Sequence, residues 1–100
     1  MIIYNVTIKV DNTAAEAWVE WMKNEHIADV LATGLFVDAR LSRLLEQDDS
    51  EGITYIAQYF ADTIEQYQEY IENHAIAMRE KGFKAFGGKF AAFRTVMEVL

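Results

Sequence analysis

Residues 2–10 have the sequence IIYNVTIKV, and this stretch decides the fold prediction. Its even-numbered residues are all apolar, whereas the residues between them become more polar from Ile3 to Lys9. A period of two places alternate side chains on opposite faces of a β-strand. We therefore expect an amino-terminal strand that packs one face against helices.

A helical pattern follows this strand. Thr13 and Glu16 have the spacing of a capping box, in which two side chains bond the free amides of a helix start. Trp18 and Trp21 belong to an apolar stripe with the three- and four-residue spacing of a helix. The pattern continues to Gly34, a suitable stop because glycine adopts the left-handed conformation without steric cost.

Two strands, a second helix and a last strand complete the pattern. The strands are predicted over residues 35–46, 53–61 and 91–100, and the helix is predicted to start at Asp62 or Thr63 and to end at Gly82. Residues 53–61 are apolar on both faces, so this strand should lie in the interior of a sheet.

The element order is β-α-β-β-α-β within a single domain of residues 1–100. Split βαβ units with right-handed crossovers give a ferredoxin-like α+β fold, a four-stranded antiparallel sheet with two helices on one face. The other face is predicted to carry Ile3, Asn5, Phe36, Leu44, Ile56, Phe60 and Val96, with polar Arg40, Gln58 and Arg94 among them. Because this is more apolar surface than a monomer normally exposes, we expect a homodimer that packs sheet to sheet.

The charge and composition exclude several classes of function. Nine basic and 16 acidic residues give a formal charge of −7, and the basic residues do not cluster, so no nucleic-acid partner is expected. No apolar run approaches the ~20 residues of a membrane span, and neither a membrane partner nor a signal peptide is expected. The absence of Cys excludes disulfides and fits a cytoplasmic location. No metal site, nucleotide loop or other cofactor motif is predicted.

Three features carry a resemblance to a known superfamily: the order of elements, the aromatic segment AWVEWM at residues 17–22, and the segment EHIADV at residues 25–30. Together they resemble the dimeric α+β barrel superfamily, and within it a short family of unknown function with EthD-like and stress-responsive-barrel features. The resemblance covers the whole chain and implies two ferredoxin-like subunits packed sheet to sheet. This superfamily includes haem-degrading and quinone-forming monooxygenases, isomerases and proteins without known activity.

Its haem-degrading members use an Asn on the first strand, a Trp, and an axial His on the second long helix. This chain has Asn5 and His74 at the corresponding elements, but Tyr67 and Tyr70 occupy the second helix where a Trp would be expected. The resemblance therefore does not predict a bound haem.

His26 is the first candidate for chemistry, because a neutral-pH imidazole can act as an acid, a base or a ligand. Asp29 follows it by three residues and could hydrogen-bond it on one helical face. The favoured alternative is a structural role, in which His26 caps the carboxyl end of the first helix. His74 is either a hydrogen-bonded core histidine, which we favour, or a ligand or base that faces a pocket. Trp21 could form an aromatic wall of such a pocket.

A second candidate site lies on the predicted open sheet face. Asn5, Arg40, Gln58 and Arg94 could converge there, and Arg guanidinium groups could hold an anionic ligand inside the dimer. The favoured alternative is ion pairing across the dimer interface.

Two functions remain open. The favoured one is a non-catalytic homodimer that binds a small organic or anionic ligand, because no complete catalytic set is present. The alternative is a cofactor-free or haem-dependent monooxygenase or isomerase that uses His26, His74 or Asn5.

Overall fold

A computed structural model describes all residues from 1 to 100. Its strands are β1 (Ile2–Val10), β2 (Asp38–Arg43), β3 (Ile53–Ala61) and β4 (Phe90–Glu98). Its helices are α1 (Ala15–Trp21), a π-helical turn (Met22–His26), α2 (Ile27–Leu31), α3 (Ile64–Asn73) and α4 (Ala75–Phe86). None of these helices is long and apolar enough to span a membrane.

The four strands form one antiparallel sheet in the order β2-β3-β1-β4. This is the ferredoxin-like arrangement, and the predicted fold class is confirmed. The bounds of β1 and β3 are those predicted, and β3 occupies the predicted interior position. The register pairs Ile2 with Ala61 and Val10 with Ile53, so the two central strands match along their whole length.

The first helical region begins and continues differently from the prediction. The predicted capping box at Thr13 and Glu16 is wrong. The Thr13 amide and hydroxyl instead donate hydrogen bonds to the Asp11 carboxylate at 2.8 and 2.6 Å, and α1 starts only at Ala15. The helix then widens into the π-helical turn and resumes as α2. Gly34 follows the end of α2 with a φ of 78°, as expected for a left-handed stop.

The second helical region is two helices rather than one. Thr63 caps α3 in a reciprocal capping box with Gln66, which confirms one of the two predicted caps. The helix is interrupted at His74, where φ and ψ leave the helical region. The second part, α4, continues beyond Gly82 to Phe86. The predicted stop at Gly82 is therefore wrong, and Gly87, with a φ of 58°, ends the helix.

Strand β2 is shorter than predicted because the chain before it enters the core. Phe36 is buried against an aromatic cluster, with ring centroids 4.9 Å from Tyr70 and 6.1 Å from Tyr4. The hydrophobic core lies between the helices and the even-numbered face of β1. Phe36 therefore belongs to the core and not to the opposite face of the sheet.

The opposite sheet face, called here the open face, has no covering layer within one chain. On β4 it carries Phe93 and Met97, which pair with Thr7 and Ile3 and are 63% and 40% exposed. Half-buried apolar residues of the neighbouring strands lie beside them: Ile3, Ile56 and Phe60. The predicted placement of Val96 on this face is wrong, because it pairs with Tyr4 and so shares the helix-facing side.

Candidate functional site

The sheet and the helices enclose a cavity of about 450 Å³. Fifteen of its 19 lining residues are hydrophobic, and no Asp or Glu is among them. Its floor is the helix-facing side of β1 and its neighbours, and its walls come from α1, the π-helical turn, α3 and α4. A volume within the ~300–1,000 Å³ range of ligand pockets makes this cavity the candidate site.

His26 is the histidine that lines the cavity. It ends the π-helical turn, and its ring stacks on Trp21 with centroids 4.3 Å apart and an angle of 18°. Its Nδ1 atom is buried without a hydrogen-bond partner. Burial lowers the pKa of this imidazole to about 4, with Asp29 opposing the shift and Lys81 adding to it. The ring is therefore neutral at pH 7, and His26 is among the residues that line the cavity.

The helix-capping alternative for His26 is wrong. Five helical residues, Ile27–Leu31, follow it, so it does not cap the end of the first helical region. The Asp29 carboxylate lies 3.2 Å from the Lys81 ammonium instead of hydrogen-bonding the imidazole. This ion pair joins α2 to α4 on the solvent side of the cavity wall.

Arg79 and Arg94 occupy the solvent-exposed end of the cavity. Arg79 Nη2 lies 3.5 Å from the Tyr4 hydroxyl. Arg94 pairs with Val6 in the sheet register, so it faces the helices. Burial is the main cause of a raised pKa of the Tyr70 hydroxyl, and Tyr4 raises this pKa further. The guanidinium groups of Arg79 and Arg94 both lower it. The two cations thus act on the same phenol.

Gly82 contributes space to the cavity. It lies in the interior of α4, and a Cβ built on it would sit 3.5 Å from Trp21 Cη2 and 3.6 Å from Phe90 Cζ. These are ordinary van der Waals distances. Any longer side chain would project among the residues that line the cavity.

His74 lies outside the cavity lining. It is the half-buried junction residue between α3 and α4, and its ring centroid is 6.1 Å from that of Tyr70. Its side chain makes no hydrogen bond, so the predicted structural partner is absent. The two histidines therefore do not form one site.

The predicted convergence of four polar residues is only partly present. Asn5 and Arg40 are both register partners of Gln58, so these three are neighbours on the open face. The Arg40 guanidinium lies 6.0 Å from the centre of the Phe60 ring. Arg94 is on the other side of the sheet, because the pairing of β4 with β1 fixes its direction.

The arrangement does not fit the haem site that the superfamily resemblance raised. Asn5 points to the open face, whereas the cavity lies on the other side of the sheet. His74 does not line the cavity, and both Trp side chains reach it from the first helical region. No axial ligand therefore faces the enclosed space in the position that the haem-degrading pattern requires.

Sequence reasoning missed Arg79 and Gly82. Arg79 is flanked by Ala75, Met78 and Gly82 at helical spacing, and a cation beside an apolar stripe was the available signal. Gly82 was assigned as a helix end because Gly commonly follows a last turn. The assignment of Gly82 depended on where the second helical region was predicted to stop.

The family model that matches residues 1–100 is that of a domain of unknown function, DUF4286. The chain belongs to the DUF4286 family. No curated relative matches the DUF4286 chain at significant similarity.

Solved structures share the fold of this DUF4286 protein at low sequence identity. A Deinococcus radiodurans protein proposed to be an antibiotic biosynthesis monooxygenase has 13% identity and a TM-score of 0.68, with 100% of this chain and 93% of that chain covered. MhuD with manganese protoporphyrin IX bound has 19% identity and a TM-score of 0.73, with 100% and 95% covered. A dimeric ferredoxin-like protein from an uncultured marine organism has 11% identity and a TM-score of 0.67, with 98% and 97% covered. At under 20% identity, these similarities establish the ferredoxin-like fold alone.

Proposed function

We propose that this DUF4286 protein is a homodimer in which each subunit binds a small, largely apolar organic compound in its cavity without transforming it. The observation that carries this proposal is the apolar cavity, open to solvent on one side, with few polar groups in its lining. Such a lining buries the body of a ligand by the hydrophobic effect, while a few polar atoms fix its orientation. His26 supplies one of the polar groups in that lining.

A cavity-filling substitution tests the binding proposal. Gly82→Leu would place a side chain beside Trp21 and Phe90, whereas Ala85→Leu adds the same side chain at an exposed position of α4. The probe is the neutral fluorophore N-phenyl-1-naphthylamine, titrated into each folded variant. We expect Gly82→Leu to weaken probe binding by at least tenfold and Ala85→Leu to leave it unchanged. No binding by the unmodified protein, or equal binding by Gly82→Leu, would overturn the proposal.

The open face supports the homodimer. It exposes Phe93 and Met97 beside half-buried apolar residues, with Asn5 and Gln58 on the two central strands and Arg40 next to Gln58 on the edge strand β2. A patch of this kind normally marks an interface. A second copy is the occupant we propose, because the same face of the partner would offer equivalent apolar area and polar partners around a two-fold axis.

The mass in solution tests the dimer. Light scattering should give twice the 11.5 kDa of one chain at micromolar concentration. Phe93→Glu should shift the mass toward one chain, because it places a charge in the apolar interface. Ile76→Glu adds the same charge at an exposed position of α4 and should leave the dimer intact. A one-chain mass for the unmodified protein would contradict the proposed assembly.

One observation favours a second candidate function, a cofactor-free monooxygenase or isomerase. His26 lines the cavity and is neutral at pH 7, so its imidazole can accept a proton there, with the weak basicity of a group whose pKa is about 4. Oxygen consumption with a panel of quinols tests the oxidative form of this function. Activity that is lost in His26→Ala and retained in His74→Ala would support catalysis. Equal activity in His26→Ala would exclude a catalytic role for this histidine.

A further inference from the structure

The charge inside the cavity is opposite to the charge of the protein. The whole chain carries a formal charge of −7, yet the charged residues that line the cavity are Arg79 and Arg94 alone. Sixteen Asp and Glu side chains are distributed elsewhere. A cleft with one sign of charge and low-dielectric walls concentrates ions of the opposite sign.

Neither of these two cations has an anionic partner within the protein. The ion pairs of the chain join Arg43 to Asp49 at 2.8 Å and Lys81 to Asp29 at 3.2 Å. The Arg79 guanidinium instead donates a hydrogen bond to the Tyr4 hydroxyl at 3.5 Å. Two unpaired guanidinium groups at the end of one cavity leave several N–H donors directed at the same space.

From this arrangement we infer that the ligand is an amphipathic carboxylate, with an apolar body in the cavity and its anionic head between Arg79 and Arg94. The inference rests on the proposed binding function and specifies the class of compound. Guanidinium groups bind carboxylates through paired N–H donors, and such charge-assisted bonds are the strong ones. Two arginines without a glycine-rich loop or a helix amino terminus match a single carboxylate better than a polyphosphate.

The lining also fixes the direction of the ligand. Trp21 and His26 are half-buried, and their stacked rings and the neutral imidazole favour an uncharged aromatic or aliphatic group. Arg79 and Arg94 are exposed by contrast, and so is Phe83, another lining residue, at 67%. The carboxylate therefore faces solvent and the apolar body enters first.

A matched pair of probes tests the inference by titration calorimetry. The probes are 2-naphthoate and 2-naphthalenemethanol, which share their ring system and differ in the charged group. We expect the protein to bind 2-naphthoate at least tenfold more tightly than the alcohol. Arg79→Gln and Arg94→Gln should each weaken naphthoate binding by roughly tenfold, the effect of one charge-assisted contact, and leave binding of the alcohol unchanged. Arg43→Gln removes the same charge far from the cavity and should change neither affinity.

The outcomes separate this inference from the proposed function. Equal affinity for the two probes, or equal weakening of both probes in the arginine variants, would overturn the carboxylate inference while N-phenyl-1-naphthylamine binding still supported the cavity as a ligand site. A loss of naphthoate affinity in Arg43→Gln as large as in Arg79→Gln would also overturn it, because the preference would then arise from net charge. Partial rescue by Arg79→Lys would support a charge contact at this position.

Discussion

Gly82 is the position at which stability and binding are expected to change in opposite directions. A glycine inside a helix costs about 0.8–1.0 kcal/mol relative to alanine. The Cβ of Gly82→Ala would make ordinary contacts at 3.5 Å and 3.6 Å with Trp21 and Phe90, so no clash offsets the gain. Partial burial of the added methyl group contributes up to ~0.8 kcal/mol more. The free energy of unfolding should therefore increase by about 1–1.5 kcal/mol.

Thermal and urea unfolding measure this change. An increase of about 1–1.5 kcal/mol corresponds to a rise in Tm of about 5–10 °C for a domain of this size. Ala85→Gly, at an exposed position of the same helix, is the matched control and should destabilise the protein by the helix-propensity cost alone. At the same time, Gly82→Ala should weaken binding of N-phenyl-1-naphthylamine, because the methyl group takes space from the cavity.

A lower Tm for Gly82→Ala would refute this reasoning, since it would mean that the backbone or the Trp21 ring cannot accept a methyl group. A higher Tm with unchanged probe affinity would refute only the predicted loss of probe binding. The glycine would then not serve to keep the cavity open.

Three further predictions concern other groups. Because burial lowers the pKa of His26 from 6.5 to about 4, the unfolded chain binds more protons between these values. The free energy of unfolding should fall by on the order of 2 kcal/mol as the pH drops from 6.5 to 4, discounted for partial exposure of the ring, and urea titrations of His26→Phe should show a smaller slope in this window. Thr63→Ala should destabilise the protein by about 1 kcal/mol in urea unfolding through loss of the α3 capping box, and Thr63→Ser should retain most of that stability. Haemin titration should give no Soret shift that depends on His74; a shift abolished by His74→Ala would contradict the absence of a haem site.

Local pattern predicted the central strands because their periodicity and their environment agree. In β1 the even-numbered residues are both apolar and buried. In β3 both faces are apolar, as expected for an interior strand, and the odd-numbered residues from Tyr55 to Ala61 are buried. The ferredoxin-like topology then followed from the order of elements and the right-handed crossover.

The direction of Arg94 could not be predicted because it depends on a non-local register. Both faces of β4 contain large apolar side chains, so alternation alone does not distinguish them. Pairing with β1 sets Arg94 beside Val6 and Phe93 beside Thr7, which moves the arginine to the cavity side. A register shift of one residue would reverse both assignments.

The candidate site was predicted at Trp21 and His26 but with the wrong local structure. A regular helix of 3.6 residues per turn was assumed as far as Gly34, and the π-helical turn that ends at His26 was not predicted. The break at His74 and the continuation of α4 past Gly82 were equally invisible, because both depend on how the helices pack against the sheet. The arginine pair at the cavity end became apparent only from these packing relationships.

The π-helical turn has a consequence for how easily this site could be gained or lost. Such a turn holds one more residue than an α-helical turn, and one residue corresponds to a rotation of about 100° around a helix axis. Removal of a single codon within residues 22–26 could restore a regular helix and redirect His26 away from Trp21 without replacing either side chain. In this protein, the chemistry of the cavity is therefore encoded partly in the number of residues and not only in their identity.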